Sequence, residues 1–178
     1  MLEQIGIQFE IVPSNIAENF GDSFPPEQVA EQLALLKAQA VADALRDCII
    51  IGADTIVVDD QGILGKPKDA AEAYQMLARL SGNVHRVITG LALISIQTPS
   101  KILVRHETTD VKFTTLSDQD ILWYIQTGEP LDKAGAYAIQ GKGARFIEWI
   151  RGCYNNVVGL PLFLLVNMLK EFNHPFSL

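Results

Sequence analysis

Asp54, Lys37, Lys66 and Gln140 are the residues whose types and surroundings could carry chemistry, because they offer a carboxylate, two cations and an amide. Asp54 interrupts a stretch, residues 48–58, whose other members are mostly apolar or small. Burying an ionised carboxylate without a partner costs several kcal/mol, so this placement needs a reason. Either the carboxylate accepts backbone N–H bonds at a bulge or turn, or a rigid strand holds it as a general base or metal ligand. Spacing alone leaves both alternatives open.

Three lysines could supply positive charge to an anion. Lys37 lies beside an apolar stripe of a predicted helix, between Leu33 and Val41. Its stem could extend to water, or its ammonium could point into a cleft towards an anion. Lys66 and Lys68 flank a proline in the sequence GKPK, and lysine binds phosphate as a point charge. Surface turns often have this composition, so the motif alone is weak.

Gln140 lies in a glycine-rich segment, residues 129–143, which also contains Asp132 and Lys133. Glycines allow the backbone to approach a ligand closely. The glutamine amide both donates and accepts hydrogen bonds, which suits reading the edge of a nucleobase. The alternative is a plain glycine-rich loop.

The remaining polar residues predict no further site. Asp59 and Asp60 lie in the turn sequence DDQG, where we expect both carboxylates to be solvated. His85, His106 and His174 lack the spacing of metal ligands, and we interpret them as structural or surface residues. The sequence contains no dinucleotide-binding glycine motif, Walker loop or nucleophilic serine motif.

The composition limits the number of domains and the classes of function that this chain could have. The 178 residues, 48% of them hydrophobic, suit one globular domain over residues 1–178. The formal net charge of −7 argues against a nucleic-acid binder, because backbone affinity needs basic surface, but it permits a nucleotide substrate. No apolar run approaches the roughly 20 residues of a membrane span, and no signal peptide is recognisable. Cys48 and Cys153 lack metal or redox spacing, which predicts buried thiols in a reducing cytoplasm.

Apolar periodicity predicts alternating strands and helices, and therefore the α/β class. The predicted strands are residues 7–12, the two arms of the DDQG turn, 84–96, 102–113 and 144–150. The predicted helices are residues 26–45, 70–80, 117–125 and 160–172. Asp69 with Glu72, and Ser117 with Asp120, are predicted N-terminal caps, while Gly6, Gly82 and Gly128 are predicted helix ends.

Leu2, Ile5 and Gly6 read as the last turn of an amphipathic helix. A helix of one or two turns is marginal alone, so the sequence predicts that a preceding segment is absent.

Six blocks, in order along nearly the whole chain, resemble the Maf family of nucleoside triphosphate pyrophosphatases. They are GADTIVV at residues 52–58, ILGKPKD at 63–69, MLARLSG at 76–82, HRVITG at 85–90, TGEPLDKAGAYAIQG at 127–141 and NNVVGLP at 155–161. One block would be weak evidence, whereas six collinear blocks are strong. The GADT block is similar to the corresponding block of the family branch that acts on dTTP and UTP. It differs from that of the sister branch, which acts on methylated guanosine triphosphate.

This resemblance implies hydrolysis of a nucleoside triphosphate to the monophosphate and pyrophosphate, with a divalent metal cation, magnesium or manganese. The implied fold is an α/β domain with an elongated mixed sheet flanked by helices, two lobes around a nucleotide cleft, and frequent dimers. The expected partners are therefore the nucleotide and a second copy of the chain, with no nucleic acid and no membrane.

The resemblance also implies roles for individual residues. Asp54 falls on the catalytic base, and Thr55 and Gln140 fall on positions linked to base selectivity. The lysines at positions 37 and 66 match polar active-site positions that bind the triphosphate. Glu18 falls on a candidate metal ligand, together with Asp54, since magnesium prefers carboxylate oxygens and water.

The sequence departs from the family pattern at its start. Members begin with a strand and a Ser-x-Ser-Pro-Arg-Arg loop that grips the triphosphate, and this sequence starts just after that loop. The missing loop supports an alternative function, a non-catalytic nucleotide-binding or cell-division regulatory protein. A third hypothesis is an enzyme that removes modified pyrimidine nucleotides.

Overall fold

A computed structural model describes residues 1–14, 16, 24–96 and 101–172. Within them the α-helices are α1 (Pro26–Ala42), α2 (Ala70–Leu80), α3 (Asp118–Gln126), α4 (Tyr154–Val158) and α5 (Leu162–Lys170). The strands are β1 (Ile49–Asp59), β2 (Gly62–Leu64), β3 (Val84–Ser95), β4 (Lys101–Phe113) and β5 (Ile147–Arg151). Short 3-10 helices cover Glu3–Ile5, Glu129–Asp132, Ala134–Ala136 and Lys142–Phe146.

The strands form one sheet in the order β2-β1-β3-β4-β5. β1 and β2 are an antiparallel hairpin in which Asp59 pairs with Gly62, so Asp60 and Gln61 form the predicted turn. β4 and β5 are also antiparallel, with a register shift between Lys112 and Phe113. The predicted α/β class is confirmed.

The described chain divides into two compact units. The first unit takes the described parts of Met1–Asp54, Thr89–Glu107 and Gly159–Leu178, and the second takes Thr55–Ile88 and Thr108–Val158. The single domain over residues 1–178 stays a prediction.

In the first unit, the strand segments are covered on both faces. Ile50 of β1 packs with Ala34 and Ala38 of α1. The opposite face of β1, with Ile49 and Ile51, packs in a cluster built mainly from β3 and α5. Because both faces are buried, these strands read as nearly continuous apolar runs rather than as alternating ones.

In the second unit, α2 and α3 contribute to one apolar cluster with the strand residues. Its centre is aromatic: the ring centroids of Phe113 and Tyr137 are 4.8 Å apart, and those of Tyr124 and Phe146 are 5.2 Å apart. Both pairs meet edge to face, the arrangement that aromatic rings prefer.

The predicted helix caps are confirmed because they depend on local sequence. The Asp69 carboxylate accepts the Glu72 backbone N–H at 2.8 Å, and Ser117 with Asp120 forms a complete capping box. Gly6, Gly82 and Gly128 all have φ between 67° and 76°, the left-handed region that glycine enters without steric cost. The Glu72 carboxylate accepts from Lys68 N–H at 2.7 Å, one residue before the position that a capping box predicts.

The predicted strand at residues 7–12 is wrong. This segment has no regular secondary structure, and the side chains of Phe9, Ile11 and Val12 are exposed. A strand needs a neighbour for its backbone groups, and no described strand of the sheet pairs with this segment.

The other differences concern element ends. α1 stops at Ala42 rather than near residue 45, and residues 144–146 form a 3-10 turn before β5. The predicted closing helix at residues 160–172 is confirmed as α5, with the shorter range Leu162–Lys170. The short helix α4 before it was not predicted, and Gly159, with φ of 118°, and Pro161, which has no N–H for the hydrogen-bond ladder, separate the two helices. The sequence TPSK, residues 98–101, predicts a turn between the strands at 84–96 and 102–113, and apart from its lysine it lies outside the described residues. His174 also lies outside them.

The expectation that Asp59 is solvated is wrong. Its side chain is only 6% exposed and accepts two hydrogen bonds from Arg79, at 2.6 and 2.8 Å. The backbone N–H groups of Gln61 and Gly62 also donate to it. Burial opposes ionisation of Asp59, but these hydrogen bonds outweigh burial, so its pKa is lowered.

His85 is structural, as predicted. It is 2% exposed, its Nε2 lies 2.7 Å from the Tyr137 hydroxyl, and its ring packs edge-on against Phe113. Its Nδ1 has no hydrogen-bond partner among the described residues. Burial lowers the pKa of His85 to about 4, although the nearby Asp59 charge acts in the opposite direction.

We therefore expect His85 to make the fold acid-sensitive. Its unfolded pKa is 6.5 and its folded pKa about 4, so between these values the unfolded chain binds a proton that the folded chain does not. The stabilisation is complete above pH 6.5 and is lost as the pH falls towards 4, by at most about 3 kcal/mol. Urea unfolding of wild type and His85→Gln at several pH values measures this loss in the free energy of unfolding.

The control is His106→Gln, which replaces a histidine that is partly exposed rather than buried. Wild type and His106→Gln should lose more stability than His85→Gln between pH 6.5 and 4. An NMR titration in which the His85 ring of the wild type protonates near pH 6.5 would contradict the prediction.

Candidate active site

Asp54 lies in the middle of β1 and points towards α1. It is the sixth of the eleven residues of β1, and alternation places it on the same face as Ile50 and Gly52. Its side chain is 9% exposed and accepts a hydrogen bond from the ammonium of Lys37, with which it forms an ion pair. The carboxylate is therefore held within a rigid strand rather than at a turn, and Lys37 offsets the cost of burying its charge.

Lys37 turns its ammonium inwards. Its side chain is 24% exposed, and its neighbour Ala38 is 1% exposed, so the lysine emerges from the buried face of α1. The alternative in which its stem extends to water is wrong, because the ammonium contacts a carboxylate of the protein. The sequence predicts an apolar face of this helix made of residues 29, 33, 36 and 40. The first two are buried, but Leu36 and the alanine at position 40 are exposed, and the buried face instead includes Ala30 and Ala34.

Two glycines allow α1 to come close enough for this ion pair. A Cβ added to Gly52 of β1 would lie 2.2 Å from the carbonyl oxygen of Ala34. One added to Gly90 of β3 would lie 2.0 Å from the carbonyl oxygen of Ala30. Since Ala30 and Ala34 are one helical turn apart, the α1 backbone rests directly on both strands. Lys37, less than one turn further on, then reaches the strand two residues beyond Gly52.

Thr55 follows Asp54 on β1. Successive residues of a strand point to opposite faces, so the Thr55 side chain leaves the strand on the face away from α1. The two residues are adjacent in the chain, and strand alternation directs their side chains to opposite faces of β1.

Lys66 lies in the second unit, in an exposed segment after β2. The carbonyl of Gly65 accepts a hydrogen bond from the Gly135 N–H at 3.0 Å, which ties this segment to the turn at Ala134–Ala136. The Asp132 pKa is lowered mainly by a hydrogen bond from Lys133, with a smaller electrostatic effect from Lys66. Lys66 is therefore an exposed cation near the glycine-rich segment.

Gln140 lies in the second unit, in the exposed turn between Tyr137 and the 3-10 helix Lys142–Phe146. The backbone on both sides of it is held by Glu129 and Tyr124, which the sequence reading did not single out. The only sequence signal for these two contacts was the pair of glycines at positions 141 and 143. Glycine indicates that the backbone lies close to another group, but it does not identify that group.

The metal prediction is tested only in part. Glu18 lies outside the described residues. In the part of the chain that the structure describes, no group of three or more His, Cys, Asp or Glu could hold a metal ion by itself. Asp54 still fits a magnesium site, because magnesium commonly takes one or two carboxylates and fills its remaining positions with substrate phosphates and water. The described ranges also contain no helix long and apolar enough to cross a membrane.

Comparison with known proteins identifies the family to which this sequence is similar. The family described as Maf-like protein matches residues 1–172. A Ruminiclostridium cellulolyticum protein named dTTP/UTP pyrophosphatase is 53% identical, over 97% of this chain and 90% of that protein. Proteins with the same name from Symbiobacterium thermophilum and Bacillus cytotoxicus are 49% and 50% identical, each over 89% of its own length.

Proposed function

The chain belongs to the Maf-like protein family, and from that premise we propose that it hydrolyses dTTP and UTP to the monophosphate and pyrophosphate. The single observation that carries the proposal is the Lys37–Asp54 pair, a nearly buried carboxylate fixed on a rigid strand beside a cation. The three relatives of about 50% identity, each named dTTP/UTP pyrophosphatase, supply the substrate class.

Asp54 is the general base in this proposal. It accepts a proton from water while the water oxygen bonds to a phosphorus, and the bond to the α,β-bridging oxygen breaks to release pyrophosphate. A carboxylate serves this purpose because it only accepts hydrogen bonds when ionised, and its placement within β1 limits its motion. Lys37 holds the carboxylate in one orientation through their hydrogen bond.

The cations stabilise the triphosphate. Phosphoryl transfer depends mostly on positioning and on neutralising charge, so exposed Lys66 and the inward ammonium of Lys37 are the proposed phosphate ligands. Asp54, with Glu18, would hold magnesium or manganese, which when bound neutralises phosphate oxygens. The expected setting is the cytoplasm, and the expected assembly is a homodimer.

Thr55 and Gln140 are the proposed base-selectivity residues. The exposed Gln140 amide can both donate to and accept from the edge of thymine or uracil, which carries a carbonyl and an N–H side by side. The same contacts accept pyrimidines modified elsewhere on the ring, so modified pyrimidine nucleotides are included in the proposed substrate class.

Product analysis tests this function directly. The chain is incubated with dTTP, UTP, CTP or GTP and magnesium, and pyrophosphate and monophosphate are quantified by chromatography. We expect equal amounts of pyrophosphate and dTMP or UMP, with slower turnover of GTP. Release of inorganic phosphate and a diphosphate would contradict cleavage between the α- and β-phosphates.

The alternative is a non-catalytic nucleotide-binding or cell-division regulatory protein. Calorimetric binding of dTTP with no product after long incubation would favour it over the enzyme.

A further inference from the structure

We propose that Glu129, together with Tyr124, is a positioning residue that fixes the loop carrying Gln140 and thereby sets the nucleobase preference. This inference rests on the proposed function, in which Gln140 contacts the base. It concerns residues 138–143, called here the glutamine loop.

Three donors converge on the Glu129 carboxylate. Its Oε1 accepts the Tyr124 hydroxyl at 2.7 Å and the Gly143 backbone N–H at 3.2 Å. Its Oε2 accepts the Lys142 backbone N–H at 2.9 Å. The Tyr124 hydroxyl in turn accepts the Ala138 N–H at 3.1 Å. The loop is therefore held by backbone bonds on both sides of Gln140.

The glycines of the loop show how closely it packs on this pair. A Cβ added to Gly141 would lie 2.2 Å from Oε1 of Glu129, and one added to Gly143 would lie 2.6 Å from the Tyr124 hydroxyl oxygen. Only a residue without a side chain permits such an approach. The carboxylate therefore occupies the space beneath the loop, next to the residue that follows Gln140.

The charges agree with this geometry. Burial opposes ionisation of Glu129, but hydrogen bonds from Lys142, Tyr124 and Gly143 outweigh burial and lower its pKa. Burial and the hydrogen bond to Glu129 raise the pKa of Tyr124, so its hydroxyl remains a donor. Hydrogen bonds to a charged acceptor are roughly twice as strong as neutral ones, which suits a fixed loop.

Gln140 itself is exposed, so its orientation depends on the backbone that carries it. Loosening the loop should cost affinity for the base that Gln140 reads, without affecting phosphate cleavage once the nucleotide is bound. The predicted effect is thus on KM and on base preference rather than on kcat.

The test uses Glu129→Gln, in which one carboxylate oxygen becomes an NH₂ that cannot accept from the loop. Dissociation constants are measured by calorimetry for the non-hydrolysable α,β-methylene analogues of dTTP and GTP, and KM and kcat for dTTP. We expect the dTTP analogue to bind about tenfold more weakly, the size of effect typical of losing one charge-assisted bond, with the GTP analogue little changed. Hydrogen exchange of the Lys142 and Gly143 amides should accelerate.

A Gln140→Ala background separates positioning from general damage. If Glu129 acts through Gln140, Glu129→Gln should not alter the dTTP-to-GTP preference further in Gln140→Ala. Glu148→Gln, an exposed glutamate of β5, is the matched control and should behave as wild type. Should Glu129→Gln unfold, Tyr124→Phe provides the same readouts, because it keeps the ring packing and removes only the hydroxyl.

An equal loss of affinity for both analogues, or an unchanged preference in the single variant, would overturn the inference. The dTTP-to-GTP preference is measured by binding and does not depend on hydrolysis. A wild-type protein that prefers the dTTP analogue but releases no pyrophosphate would therefore refute the proposed function and leave the inference about Glu129 standing.

Discussion

Replacing Asp54 by Asn should lower kcat for dTTP hydrolysis by about 10²–10⁴-fold, the contribution typical of a general base. Asparagine cannot take the proton from water, although its oxygen can still accept the hydrogen bond from Lys37. The side chain is almost isosteric, so the position of α1 on β1 should persist. The measurement is steady-state pyrophosphate release, with KM recorded separately because nucleotide binding should change much less than kcat.

The matched control is Asp60→Asn, an exposed aspartate in the turn that follows the same strand. It should keep the wild-type kcat. Circular dichroism and thermal unfolding establish that both variants are folded. A folded Asp54→Asn variant with the kcat of the wild type would exclude Asp54 as the base.

Gly52→Ala should disrupt both stability and catalysis. The new Cβ would stand 2.2 Å from the Ala34 carbonyl oxygen, and because that atom belongs to the helix backbone, α1 itself must move. Overpacking of this kind typically costs 1–3 kcal/mol, so we expect the free energy of unfolding to fall by about 2–3 kcal/mol. The displaced helix also carries Lys37 away from Asp54, so kcat should fall at temperatures where the variant is folded.

Gly90→Ala tests the same contact from β3, where the added atom would meet the Ala30 carbonyl oxygen at 2.0 Å. Gly65→Ala is the control for unfolding, since nothing lies within 4 Å of a Cβ there. Both strand variants should unfold at lower urea concentration than Gly65→Ala. Equal midpoints in all three would show that α1 does not depend on the glycines.

The helix caps were predictable because their partners are three residues apart. Asp69 with Glu72, and Ser117 with Asp120, satisfy backbone N–H groups of their own first turn, so the sequence contains the whole interaction. The strand predicted at residues 7–12 failed for the converse reason. Its apolar residues carry a strand signal, but a strand exists only with a neighbour, and the sequence does not specify neighbours.

Asp59, at the hairpin turn, is a second case in which a contact between distant elements could not be predicted from the sequence. The sequence DDQG predicted the hairpin correctly, yet the pairing of Asp59 with Arg79, twenty residues later, depends on where α2 packs. Glu129 was missed because its partners are backbone N–H groups thirteen and fourteen residues away, and a backbone group has no sequence signature.

By itself, the sequence determined the class of the fold, most helices and strands, the family, and the anomaly of Asp54 in an apolar stretch. It did not determine what Asp54 pairs with. That pairing joins residues 17 positions apart, and it exists because Gly52 and Gly90 let α1 rest on the strands. Local patterns fix elements through short-range steric and hydrogen-bonding preferences, whereas an ion pair between elements depends on the distance at which they pack.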